Sequence, residues 1–174
     1  MAYLIIGDNH PVVFLANIRT GSTAIANALM KNGAYKDGEH HEPMGLYPQG
    51  ALIVQTIRNH FDVISSYWYK KANGHTLDNF VDIVVSGDHI HFPPTGLYSK
   101  FGTNPNYFLE YNTLDYEFSN LCLAAGLPDI KLERTNNTNR PPNEKRQDLF
   151  TSDLVRKIQG YYGAEMERLG YGRN

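Results

Sequence analysis

The segment Ala16-Asn17-Ile18-Arg19-Thr20-Gly21-Ser22-Thr23 gathers one permanent cation, one glycine and three hydroxyl side chains at a point where an apolar run gives way to helical spacing. A turn of this kind opening a helix suits an anion. The first backbone N–H groups of a helix have no partner within it, and the aligned peptide dipoles make that end positive. Arg19 adds charge, and Thr20, Ser22 and Thr23 add donors. Ser22 would equally serve as an ordinary helix cap. A second cation, Arg58, closes another apolar run, and Ser66 follows eight residues later, two helical turns along. Arg58 and Ser66 could reach one phosphate from two directions, and Arg58 could instead pair with Asp62. Between the two segments stand His40 and His41, side chains able to move a proton near neutral pH.

The elements that position these residues follow from the apolar pattern. Val12 to Ala16 is a short, partly β-branched run of the kind found in buried parallel strands, and Tyr3 to Ile6 forms a short edge strand before it. Ala24, Ile25, Ala28 and Leu29 predict a helix over Ser22 to Lys31, stopped by Asn32-Gly33. Ala51 to Ile57 reads as a second strand, followed by a helix from near Asn59 and another over Leu77 to Val85. Gly87 to Asn106 carries few regular signals and reads as a long surface excursion. A strand near Phe108 to Tyr111, a helix from Leu114 to Ala125 ending at Gly126 and Pro128, and a strand near Ile130 to Glu133 come next. Thr135 to Gln147 reads as polar loop, including the Asn136-Asn137-Thr138 glycosylation triplet. A helix over Ser152 to Leu169 closes the chain, with Leu154, Ile158, Tyr161, Tyr162, Met166 and Leu169 on one face. Strands alternating with helices predict an α/β three-layer sandwich around a mostly parallel sheet, residues 1–174 forming one domain, with ligands at the carboxyl ends of the strands.

Composition narrows the possibilities. Sixteen basic against 18 acidic residues give a net charge of -2, which argues against a general field for nucleic acid or anionic membrane, so any anion site is local. No apolar run reaches the roughly 20 residues of a membrane span, and the start of the chain lacks a signal-peptide pattern. The expected location is the cytoplasm. The single cysteine, Cys122, lies in an apolar run and reads as a small buried hydrophobe. Asp88-His89-Ile90-His91 alternates like a strand-borne metal site, but no third ligand stands at a specific spacing, so no metal is expected.

The first loop comes close to the phosphate-binding loop of nucleotide hydrolases. It has Ser22 where those enzymes carry the lysine that contacts the outer phosphates, and Ala16 where they carry the first glycine. Arg19-Thr20-Gly21-Ser22-Thr23 instead resembles the 5′-phosphosulfate loop of sulfotransferases: a basic residue, a hydroxyl residue, Gly and two further hydroxyl residues. Ile57-Arg58-Asn59-His60-Phe61-Asp62-Val63-Ile64-Ser65-Ser66 resembles that family's second signature, an Arg ending a strand and a Ser eight residues later. His41-Glu42-Pro43 is similar to the stretch holding the family's catalytic His, and Tyr111-Asn112-Thr113-Leu114 to the strand end that touches the adenine nucleotide. The closing run to Leu169-Gly170-Tyr171 resembles the family's last helix.

The resemblance implies a phosphate-loop fold and transfer of a sulfuryl group from 3′-phosphoadenosine-5′-phosphosulfate (PAPS) to a hydroxyl or amine, leaving 3′-phosphoadenosine-5′-phosphate (PAP) and requiring no metal. It implies that Arg19 and the residues of its loop hold the 5′ side of the donor. Arg58 and Ser66 would hold the 3′-phosphate and Tyr111 the nucleotide, with His41, or else His40, as general base. Ala24 stands where cytosolic members carry a Trp against adenine, and their glycine-rich loop near the carboxyl terminus is missing. Arg140, Lys145 and Arg146 are the local cations that could substitute. The acceptor would be a small molecule, carbohydrate or peptide. Two other readings stay open: a phosphotransferase or nucleotide hydrolase using Mg²⁺, and a nucleotide-binding module without catalysis.

Overall fold

A computed structural model describes residues 2–37, 47–71, 74–98, 104–133 and 146–171. These residues fall into two compact units, one of residues 1–58 and 101–137, the other of residues 59–100 and 138–174.

The first unit is built on a five-stranded sheet. β1 (Ala2–Ile6), β2 (Pro11–Leu15), β3 (Tyr35–Asp37), β4 (Leu52–Ile57) and β5 (Tyr107–Glu110) lie in the order β3-β1-β2-β4-β5. β2, β4 and β5 run parallel, with Phe14 beside Val54 and Thr56 beside Leu109. β1 and β3 run antiparallel to their neighbours, so the sheet is mixed, with its parallel part confined to β2, β4 and β5. The connection explains the difference: only Gly7 to His10 separate β1 from β2, and so short a link can only reverse the chain. Nor is β1 the edge. β3, only three residues long and with Tyr35 largely exposed, pairs outside it and carries no apolar pattern to betray it.

The period-2 alternation sorts the strands into two faces. Tyr3, Ile5, Val12, Phe14, Val54 and Leu109 pack with Ile25, Ala28 and Leu29 of α1 (Ser22–Lys31) and with Phe118, Leu121, Cys122 and Ala125 of α4 (Leu114–Ala125). Ala2, Val13, Leu15 and Ala51 form a buried cluster on the opposite face. Ile130 joins the first cluster, but residues 130–133 are not a strand: the side chain is buried while the backbone enters no ladder. The loop between β1 and β2 also closes α4. The amides of Asn9 and His10 donate to the Ala125 carbonyl at 3.0 and 3.2 Å, which satisfies a group the helix end leaves unpaired. Gly126, at φ 71°, ends the helix in the left-handed conformation.

The second unit is helical among its described residues: α2 (His60–Lys71), α3 (Leu77–Val85), α5 (Arg146–Leu149) and α6 (Ser152–Arg168). Thr76 and Thr151 cap α3 and α6 through their hydroxyls, accepting the Asn79 and Leu154 amides. α5 occupies the end of the segment expected to be loop, a single turn too short to show a period. Residues 87–98 and 104–106 contain no helix or strand, as the glycine and proline content suggested, but Phe92, Leu97 and Tyr98 are buried, so the segment is not simply a surface excursion. No helix among the described residues is long and apolar enough to cross a membrane.

Candidate anion-binding site

The carboxyl ends of β2, β4 and β5, the three parallel strands, bring the chemistry of the first unit together. β2 ends at Leu15, and α1 begins at Ser22 after a turn that uses two left-handed residues, Arg19 at φ 56° and Gly21 at φ 80°. A non-glycine residue in that region is strained, so Arg19 is held there by its surroundings. The hydroxyls of Thr20 and Ser22 face inward. Thr20 Oγ1 donates to the Asn17 carbonyl at 3.3 Å and pairs with Thr56 Oγ1 of β4 at 2.5 Å, while Ser22 Oγ also donates to the Asn17 carbonyl. Thr20, Thr56 and Ser22 are all buried.

The backbone donors stay available. Gly21 precedes α1 without a side-chain cap, and the first turn of α1 carries no acidic residue. The Ala24 amide is taken by the Gly21 carbonyl at 3.0 Å, but among the described residues those of Thr20, Gly21, Ser22 and Thr23 find no protein acceptor. Thr23 is exposed. The combination of unpaired amides, a positive helix end and two hydroxyls already committed elsewhere has the chemistry to suit an anion held through the backbone.

Arg58, the residue after β4, lies against this turn. Its Nη1 donates to the Arg19 carbonyl at 3.0 Å, and its guanidinium carbon sits 4.0 Å from the centre of the Tyr111 ring, which follows β5 directly. Tyr111 in turn borders the turn: a Cβ on Gly21 would lie 3.3 Å from Cδ2 and Cε2 of that ring and 2.7 Å from Leu114 Cδ2. Gly21 therefore has two reasons to be glycine, its backbone angle and the closeness of Tyr111 and Leu114.

Arg19, Thr20, Gly21, Ser22, Thr23, Arg58 and Tyr111 thus share one end of the sheet. Ser66 belongs to the second unit, on α2, where it is buried. His40, His41, Arg140 and Lys145 lie outside the described residues. Two participants escaped the sequence reading. Thr56 and Gln55 are the two polar residues of an otherwise apolar strand, a signal that could have been used. Asn17 is buried, and neither atom of its side-chain amide has a hydrogen-bond partner.

The second unit has its own buried polar cluster. Burial by itself would raise the Glu165 carboxyl. His60 Nε2 at 2.7 Å and the amides of Tyr98 and Leu97 at 3.0 and 2.8 Å reverse this and hold it below the usual carboxylate range. With the carboxylate ionised, His60 donates from Nε2. Gly96, at φ 107°, leaves room for the carboxylate, since a Cβ there would fall 2.4 Å from Glu165 Oε1. Glu165 stands three residues after Tyr162 and seven after Ile158, on the buried face of α6, so helical spacing could have marked it. Nearby, His89 Nδ1 accepts the His91 amide at 3.2 Å, which makes the Asp88 to His91 segment a self-bonded turn. Among the described residues no group of three or more His, Cys, Asp or Glu could hold a metal ion.

Comparison of the chain with family models, with curated proteins and with solved structures gives no match.

Proposed function

We propose that the protein is a PAPS-dependent sulfotransferase of the phosphate-loop fold class, acting on a hydroxyl or amine acceptor in the cytoplasm. The observation that carries this reading is the Arg58 guanidinium bonded to the Arg19 carbonyl at the uncapped start of α1, two cations and a row of free amides at one end of the parallel strands. Two anionic groups of one ligand would be satisfied there. In the reaction, the acceptor oxygen or nitrogen forms its bond to sulfur while the bond from sulfur to the 5′-phosphate oxygen breaks. The electron pair stays on that oxygen, now part of PAP. Arg19 and the loop amides stabilise the growing charge, and His41 takes the acceptor's proton. Arg58 holds the 3′-phosphate so that the attacking and leaving groups stay in line. Ala24 offers the donor no ring, so the phosphates supply most of the binding energy on this reading.

PAP at about 100 times its dissociation constant should raise the melting temperature by roughly 5–10 °C, and ATP with Mg²⁺ should raise it much less. A larger shift with ATP and Mg²⁺ would replace the reading with a phosphotransferase or nucleotide hydrolase. Binding of PAP without transfer to any acceptor would leave a nucleotide-binding module. Arg19→Ala should lower turnover about 10²- to 10³-fold with PAP affinity nearly unchanged, and equal losses in both would remove Arg19 from its role.

A further inference from the structure

We propose that Tyr111 is a positioning residue: its ring holds the Arg58 guanidinium in place for an anionic ligand, and it does not itself stack on the ligand's base. The inference rests on the donor reading above for the role of Arg58, but its geometry is independent of it. A guanidinium is planar and delocalised and is attracted to the face of an aromatic ring, most strongly where water is partly excluded. Arg58 meets that condition at 4.0 Å from the Tyr111 ring centre, and a hydrogen bond to the Arg19 carbonyl fixes its remaining freedom. One ring face therefore carries the cation, and the Cδ2 and Cε2 atoms border Gly21. The face that carries the guanidinium is not open to a nucleotide base.

The ring also joins segments that are far apart in the chain. It touches Gly21 in the turn after β2 and Arg58 after β4, and its own position is set because Tyr111 to Thr113 form a 3₁₀ turn immediately after β5. Its hydroxyl makes no hydrogen bond among the described residues, so the ring alone should suffice. A long cationic side chain that is ordered before the ligand arrives loses less freedom on binding. The base of the ligand should consequently matter little at this position.

The test measures affinity for PAP and for adenosine 5′-monophosphate, which lacks the 3′-phosphate, in the wild-type protein and in Tyr111→Phe, Tyr111→Leu, Arg58→Gln and the Tyr111→Leu/Arg58→Gln double variant. Tyr111→Phe should bind both nucleotides as wild type does. Tyr111→Leu should weaken PAP about 2- to 30-fold and leave the monophosphate unchanged. The double variant should bind PAP no worse than Arg58→Gln alone, because Tyr111 acts through Arg58. Equal weakening of both nucleotides in Tyr111→Leu, or additive losses in the double variant, would overturn the proposal in favour of direct base contact. If the wild-type protein binds neither nucleotide, the sulfotransferase reading fails, and the NMR signals of the Arg58 δ-methylene protons decide the positioning question separately. Upfield displacement by the ring in wild type and Tyr111→Phe supports it, and ordinary positions in both overturn it. That measurement also decides the matter if Tyr111→Leu does not fold.

Discussion

The turn between β2 and α1 and the Glu165 cluster are both buried polar regions, but they divide donors and acceptors in opposite ways. At Glu165 a charge meets its partners inside the protein: His60 and two backbone amides converge on one carboxylate. At the turn the hydroxyls of Thr20 and Ser22 are consumed on the Asn17 carbonyl and on Thr56, while the amides of Thr20 to Thr23, which meet no acceptor among the described residues, lie beside the charge of Arg58. Buried donors normally find acceptors. A region that satisfies its own charge is framework; on the function proposed above, the amides and cations gathered at the turn would instead serve a ligand. Fully satisfied polar clusters also rigidify what they connect. The Glu165 carboxylate fixes the Leu97 and Tyr98 amides to the buried face of α6.

The contrast can be broken most forcefully at Glu165. Glu165→Ala would leave two backbone donors and the His60 Nε2 without an acceptor in a largely buried site, and would remove the partner of Arg168 at 3.6 Å; it should cost about 3–5 kcal/mol of unfolding free energy, measured by denaturant titration. Glu165→Gln keeps an oxygen and should cost less. The carboxyl is held lower in the folded protein than in the unfolded chain, so its contribution is complete above the unfolded value and disappears as pH falls through the folded one. Wild-type stability should therefore decline on acidification more steeply than that of Glu165→Gln. Parallel pH curves for the two proteins would mean that the ionised carboxylate does not hold this cluster together.

Most of the scaffold was readable because it depends on local signals. Helical spacing located α1, α3, α4 and α6, and Asn32-Gly33 and Gly126 marked the ends of α1 and α4. Apolar runs located β2, β4 and β5. What escaped depends on partners distant in sequence. β3 exists because β1 offers it an edge, not because Tyr35-Lys36-Asp37 favours a strand, and Ile130 gave a strand-like signal because its side chain enters the core while its backbone does not. At the site, the turn and Arg58 were legible as residue types at telling positions. The inward use of Thr20 and Ser22 was not, since it requires Thr56 from another strand. Nor was the place of the Tyr111 ring against Arg58, which joins residues that follow two different strands.

Gly21 offers a sharper cut on the other side of the comparison. Gly21→Ala places a Cβ at φ 80°, 2.7 Å from Leu114 Cδ2 and 3.3 Å from the Tyr111 ring. The backbone strain is about 1–3 kcal/mol, and displacement of Leu114 and Tyr111 adds to it. Gly33→Ala is the control, because Gly33 has φ 88° but nothing within 4 Å of the added carbon. The excess loss of stability in Gly21→Ala over Gly33→Ala, read from melting curves, measures how closely the turn is packed against Tyr111. Equal losses would show that the glycine is needed only for its backbone angle.

The smallest effect tests whether the turn's hydroxyls are framework or ligands. Thr20 donates to the Asn17 carbonyl, which leaves Thr56 as the donor in the pair between the two threonines. Thr56→Val keeps the shape of the side chain in a fully buried position and deletes only that hydrogen bond. Thr20 keeps its own acceptor, so no donor is stranded, and the loss should be about 1 kcal/mol, or roughly 2–4 °C in melting temperature for a chain of this size. PAP affinity should change less than about twofold, because the amides and cations rather than this hydroxyl pair meet the anion. A tenfold loss of affinity with the melting temperature unchanged would reverse the assignment. Thr20 and Thr56 would then be ligand groups, and the division between inward hydroxyls and outward amides would no longer separate this turn from the Glu165 cluster.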